Sequence, residues 1–154
     1  MRCLLPVLLF CSFSALSQPI PRPRDWKDTE GRPINAHGAG ILFHKGVYYL
    51  FGEIKKGRTW LVPGQSWEDY RVPAGGVSCY SSSDLQHWKY EGVALSPVTG
   101  DPGHDLDTGK VVERPKVIYN DKTGKFVMWM HVDARDYSCY RTIIFLPPLP
   151  IAGF

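Results

Sequence analysis

Two stretches of this chain are written in the same grammar, and that repetition constrains the fold more than any other feature. Ile34 to Glu53, INAHGAGILFHKGVYYLFGE, reads as a small-residue turn, a strand from Gly40 to His44, a two-residue turn at Lys45-Gly46 and a second strand from Val47 to Gly52. β-Branched and aromatic residues around a Lys-Gly turn are a hairpin signal. The unit returns as Val117 to Asn120, a turn over Asp121-Lys122-Thr123-Gly124, and Lys125 to His131. Aligning Ile41 with Val117 brings Gly46 onto Gly124 after a two-residue insertion, and places His37 opposite Glu113.

The first unit continues with a third strand, Gly76 to Ser82. A turn over Ser83 to His87, where Asp84 can accept backbone N–H groups, leads to a fourth strand, Trp88 to Gly92. Leu85 and Trp88 are expected to anchor the outer edge. A strand repeat of roughly seventy-odd residues, four strands to a unit, implies radial repetition and fits the blades of a β-propeller. In that arrangement His37 and Glu113 precede the inner strands of their units and face a central pocket.

The remaining segments follow from composition and local chemistry. Met1 to Ser17 reads as a secretory signal peptide: Arg2, an apolar run from Leu4 to Phe13, and Ala15-Leu16-Ser17 as a small-x-small cleavage site. The expected location is therefore secreted or periplasmic, with cleavage after Ser17. Residues 18–33 form an extended segment stiffened by Pro19, Pro21 and Pro23. The blade region covers residues 34–138. Residues 139–154, CYRTIIFLPPLPIAGF, are apolar and proline-rich; Thr142 to Leu146 has strand character, but the tail is not expected to complete a blade.

Charge is nearly balanced, with 18 basic against 15 acidic residues, and no basic cluster points to nucleic acid. After the leader no stretch is long enough to span a membrane. Thirteen Pro and fifteen Gly suit a turn-rich β protein. Cys79 and Cys139 remain after the leader; an oxidising compartment would permit a disulfide, and two separate apolar positions are the other reading. Asp105-Leu106-Asp107-Thr108-Gly109 looks like the start of a calcium loop but lacks the later ligands, so no metal and no cofactor are expected. The long loop from Lys55 to Ala74 carries Trp60, Trp67 and Tyr70, which either stack on a sugar ring or pack the loop.

Four pieces together resemble the N-terminal part of glycoside hydrolase family 43, five-bladed β-propeller enzymes, and its exo-β-1,3-galactanase-like branch in particular. They are Asn35-Ala36-His37-Gly38-Ala39-Gly40 with Tyr48-Tyr49; Ser83-Asp84-Leu85 with Trp88; Glu113-Arg114-Pro115-Lys116-Val117; and Trp129-Met130-His131. The resemblance implies an all-β fold, about the first two of five blades followed by an aberrant tail. It implies an inverting hydrolase of galactan-like polysaccharide, whose acid and base would lie in later blades. The place where most of the family carries a base Asp is held here by His37 and Gly38, a departure that the galactanase-like branch shares.

By resemblance Glu113 points into the pocket and holds substrate hydroxyls; a structural pair with Arg114 is the alternative. Its backbone, next to Arg114 and ahead of Pro115, is expected to be extended. His37 either bonds substrate or is structural, and His131 and Asp133 are read as structural. Three functions stand side by side: a glycosidase of which this chain is a part inactive alone, a carbohydrate-binding propeller without hydrolysis, and a truncated product with no activity. Phe43, Tyr49, Phe126 and Trp129 are expected to line the faces that an incomplete propeller leaves open.

Overall fold

The computed structural model describes residues 26–55, 74–134 and 137–146. The proposed leader, the loop aromatics Trp60, Trp67 and Tyr70, and residues 147–154 lie outside them. The described residues form seven strands in two antiparallel sheets. The first sheet is β1 (His37–His44), β2 (Val47–Lys55), β3 (Ala74–Ser82) and β4 (Lys89–Leu95), in that order. The second is β5 (Val111–Asn120), β6 (Lys125–Asp133) and β7 (Arg141–Phe145). Both are sequential meanders, the form of propeller blades.

The first hairpin turns where the sequence places it. Lys45 and Gly46 have φ of 47° and 83°, the paired positive values of a type I′ turn, whose twist matches that of the strands. The second hairpin uses a four-residue turn in which Asn120 Oδ1 accepts the N–H groups of Lys122 and Thr123. The repeat extends to a defect. Both inner strands carry a bulge, between His37 and Gly40 in β1 and between Glu113 and Lys116 in β5. Gly38 and Arg114, at equivalent places in the two bulges, have φ of 54° and 55°. Arg114 is therefore in the left-handed region, not the extended backbone that Pro115 suggests. The Glu53 carboxylate, which accepts the Arg114 N–H at 2.7 Å, compensates that strain of about 1–3 kcal/mol.

The main core lies between the sheets. Tyr49, Phe51, Val77 and Cys79 of the first meet Val117, Phe126, Met128 and Met130 of the second. Each such side chain contributes about 1.5–3 kcal/mol when fully buried. Tyr49 and Phe126 are thus interior residues, contrary to expectation, because the open faces are the outer ones; Phe43 is 59% exposed and Trp129 half-buried. A smaller cluster of Leu50, Tyr80 and Trp88 lies on the outer face of the first sheet, under Trp26, Ile34 and Ala36.

β7 revises the reading of the tail. Residues 141–145 pair with β6 from Val132↔Arg141 to Met128↔Phe145 and give the second sheet its third strand. No proline falls within RTIIF, so the ladder keeps its donors, and Ile143 and Phe145 pack on the core. Cys79 and Cys139 are both free. Cys79 is buried between the sheets, which pushes its thiol up to about 12, while Cys139 is exposed.

The turn after β3 is held by side chains. Ser82 Oγ accepts the N–H groups of Asp84 and Leu85, and Asp84 Oδ1 accepts those of Gln86 and His87. Trp88 is buried and its indole N–H donates to the Leu85 carbonyl at 3.2 Å. Leu85 itself, at φ 64°, is 46% exposed and anchors nothing. The turn needs its backbone there, not its side chain.

The His87 N–H groups, backbone and ring, with the Gln86 N–H, hold the Asp84 carboxyl well below the usual Asp value of 3.8. A depressed carboxyl contributes stability that is complete above its unfolded value and is lost as pH falls. Stability should therefore be level at neutral pH and decline as pH drops below about 4. Asp84→Asn should flatten that acid limb in urea titrations across pH; an unchanged limb would remove Asp84 from the account.

Candidate functional site

The bulges bring the inner strands of the two sheets together. A Cβ on Gly38 would lie 2.5 Å from Glu53 Oε1 and 3.3 Å from the Arg114 nitrogen. One on Gly40 would lie 3.0 Å from the Pro115 carbonyl oxygen. The contact is then closed by Lys116, whose Nζ donates to the Gly38 and Ala39 carbonyls at 3.0 and 3.2 Å. His37 and Glu113 are the residues just before Gly38 and Arg114, so this junction sets both at the inner ends of adjoining strands. Glu113 lies within β5 and His37 opens β1, rather than preceding those strands.

Register adds two residues that the sequence reading did not assign to the site. His37 pairs across the ladder with Glu53, and Glu113 pairs with His131. Each sheet thus carries one Glu and one His at its inner end, exchanged between strands. Glu53 is 5% exposed and its carboxylate is fully engaged, with the Arg114 N–H on Oε1 and Lys55 Nζ 2.5 Å from Oε2. A carboxylate closing the apolar run Tyr49-Leu50-Phe51-Gly52 is the signal that could have found it.

Glu113 is half-buried and does not pair with Arg114 through its side chain; its Oε1 accepts the Tyr137 hydroxyl at 2.5 Å. Tyr137 also stacks on the His131 ring, with centroids 5.9 Å apart and planes 30° off parallel. Asp133 secures this corner. It is fully buried, and its Oδ1 accepts the N–H groups of Ala134 and Cys139, the latter across the loop that carries Tyr137. Burial pushes its carboxyl up, but the N–H groups of Cys139, Tyr140 and Ala134 outweigh that and hold it below 3.8. Oδ2 lies 3.1 Å from His131 Nε2 without hydrogen-bond geometry, an ionic contact when the imidazole is protonated.

The result is a polar corner of Glu113, Tyr137 and His131 resting on Asp133, beside a junction held by Glu53. A carboxylate and a hydroxyl side by side, backed by aromatic rings, can exchange hydrogen bonds with vicinal hydroxyls. The acidic loop elsewhere is self-satisfied. Asp107 accepts the Gly109 and Asp101 N–H groups, and Asp105 reaches Arg141 at 3.2 Å.

Replacing Gly38 with Ala should displace the Glu53 carboxylate from the Arg114 N–H. Both the positive φ and the overlap oppose the methyl group, so thermal and urea denaturation should show a loss of at least ~1 kcal/mol. Wild-type stability for that variant would mean that the strands do not meet as described.

Comparison with solved structures agrees with this arrangement. A GH43 β-1,3-galactosidase solved with galactodeoxynojirimycin is 50% identical over 73% of this chain and 29% of its own, with a TM-score of 0.58. The exo-β-1,3-galactanase of Phanerochaete chrysosporium, solved with galactose, is 41% identical over 77% of this chain and 24% of its own, at 0.63. The exo-β-1,3-galactanase of Clostridium thermocellum is 39% identical over 77% and 22%, at 0.58. The chain thus spans under a third of the length of these three proteins. No family model and no curated protein matches the sequence.

Proposed function

This chain belongs to glycoside hydrolase family 43, with the described residues forming part of its propeller, and we propose that it supplies the galactose-holding side of a pocket that acts on β-1,3-linked galactan. The observation that carries this reading is the Glu113–Tyr137 pair at the inner end of β5. The carboxylate can accept two sugar hydroxyls, and the Tyr137 hydroxyl can turn from Glu113 to substrate. His37, at the inner end of the neighbouring strand, offers a further ring nitrogen. At least one of Trp60, Trp67 and Tyr70, which lie outside the described residues, is assigned to stacking on a sugar face. The neighbours crystallised with galactose and a galactose-like imino sugar support the substrate class. The leader-like pattern of residues 1–17 supports an extracellular site of action.

Hydrolysis is assigned to the whole protein and not to these residues by themselves. Inversion takes two carboxyl groups about 6.5–9.5 Å apart with a water between them. Glu53 cannot serve as the base, since both oxygens are already engaged by Arg114 and Lys55. Glu113 alone cannot be acid and base together. The chain by itself therefore binds sugar without turning it over.

NMR titration of the chain with β-1,3-galactobiose should shift resonances around Glu113 and Tyr137. Glu113→Gln keeps the shape and removes the charge, at a cost of ~1.5–3 kcal/mol, which is a fall in affinity on the order of ten- to a hundredfold. No aryl β-galactoside should be cleaved. Equal affinity in a natively folded Gln variant, or turnover by the chain, would overturn the assignment.

A further inference from the structure

Glu113 and His131 are cross-strand partners, so their side chains rise from the same face of the second sheet. Tyr137 touches both, its ring on the His131 ring and its hydroxyl on Glu113 Oε1. Its backbone is left-handed, with φ of 58°, and its N–H donates to the Ala134 carbonyl at 3.0 Å. A tyrosine keeps that conformation only where its surroundings hold it. Asp133, two residues along β6 from His131, has a wholly buried side chain. The Ala134 and Cys139 N–H groups donate to its Oδ1. Among the described residues no donor is aligned on Oδ2, and His131 Nε2 lies 3.1 Å from it. A buried carboxylate oxygen without a donor is costly. Position 131 therefore asks for a flat ring with a donor at its far end, which histidine supplies and phenylalanine does not.

We infer that His131 is a positioning residue for the Glu113–Tyr137 pair: its Nε2 carries a proton directed at Asp133 Oδ2, and the ring pinned in this way holds Tyr137 where its hydroxyl meets Glu113. At 3.1 Å the two atoms are within hydrogen-bond range, and the ring turns easily about χ2 to align the N–H. The role rests on the reading of that pair as the sugar-holding group. The tautomer does not, because Asp133 alone dictates it. Asp133→Asn separates the two. Its single amide oxygen must still accept from Ala134 and Cys139, so its NH2 group takes the place of Oδ2 and donates to Nε2. The proton of the neutral imidazole then moves to Nδ1.

Long-range proton–nitrogen NMR of the imidazoles, at mildly alkaline pH, should show His131 protonated at Nε2 in the wild-type chain and at Nδ1 in Asp133→Asn. His131→Gln keeps a donor for Asp133 and removes the ring. Its affinity for β-1,3-galactobiose should fall on the order of three- to tenfold. In a Tyr137→Phe background the same change should cost nothing further, because the hydroxyl that His131 aims is gone; a merely structural loss would persist. The carbon resonance of the Glu113 carboxyl should move alike in His131→Gln and Tyr137→Phe. Circular dichroism confirms folding, and His131→Asn replaces the Gln variant if that one melts early. A wild-type Nδ1 proton would overturn the inference. So would a folded His131→Gln chain that binds the sugar normally while Glu113→Gln weakens it. If Glu113→Gln also leaves affinity unchanged, the sugar reading fails by itself, and the carboxyl resonance decides for His131: its staying in place in His131→Gln rejects the positioning role.

Discussion

The approach of β1 to β5 is the constraint on which the rest of the structure depends. Gly38 and Gly40 leave space for the second sheet's backbone, and the Glu53 carboxylate and Lys116 ammonium fill the gap with bonds. A buried carboxylate is costly unless its oxygens are satisfied, and here a main-chain N–H and a lysine satisfy them. The interaction also stabilises the left-handed Arg114, and with it the bulge that changes the direction of β5. Glu113 sits on that bulge, so the position of the candidate site and the cohesion of the sheets share one cause.

The polar corner is layered in the same way. Asp133 accepts backbone N–H groups at both ends of the loop carrying Tyr137, while Tyr137 reaches Glu113. Asp133 is thus buried beneath the site and organises it without being presented to solvent. This division suits binding, because a carboxylate whose rotamer is held in advance loses less freedom when a ligand arrives. It also explains why Glu53 and Glu113, close in chemistry, are separated in role: one is saturated by its own chain and the other keeps oxygen capacity beyond a single hydroxyl.

Repetition gives the molecule its economy and its exposed surface together. A unit whose two faces complement each other can repeat radially, each blade packing on the next. Among the described residues, Phe43 with Ile41 on the outer face of the first sheet, and Ile118 with Ile144 on that of the second, are exposed counterparts of the faces that meet between the sheets.

Residue order by itself determined the hairpins, the four-strand first unit and the alignment of His37 with Glu113. Those depend on local chemistry: a Lys-Gly pair that adopts two positive φ values, alternation of side chains, and a repeat that needs no coordinates to see. It also contained the family likeness, carried by short motifs. It did not disclose that Tyr49 and Phe126 are interior, because alternation identifies two faces without saying which one finds a partner. Nor did it show that Arg114 departs from the extended backbone favoured before proline, since the acceptor that stabilises it, Glu53, belongs to another sheet. Residues 141–145 read as the edge of a foreign tail until the open edge of β6 gave their backbone a partner. Tyr137 joined Glu113 only through the loop folded on Asp133. In each case the deciding contact is between residues distant in sequence, and only tertiary structure brings such residues within reach.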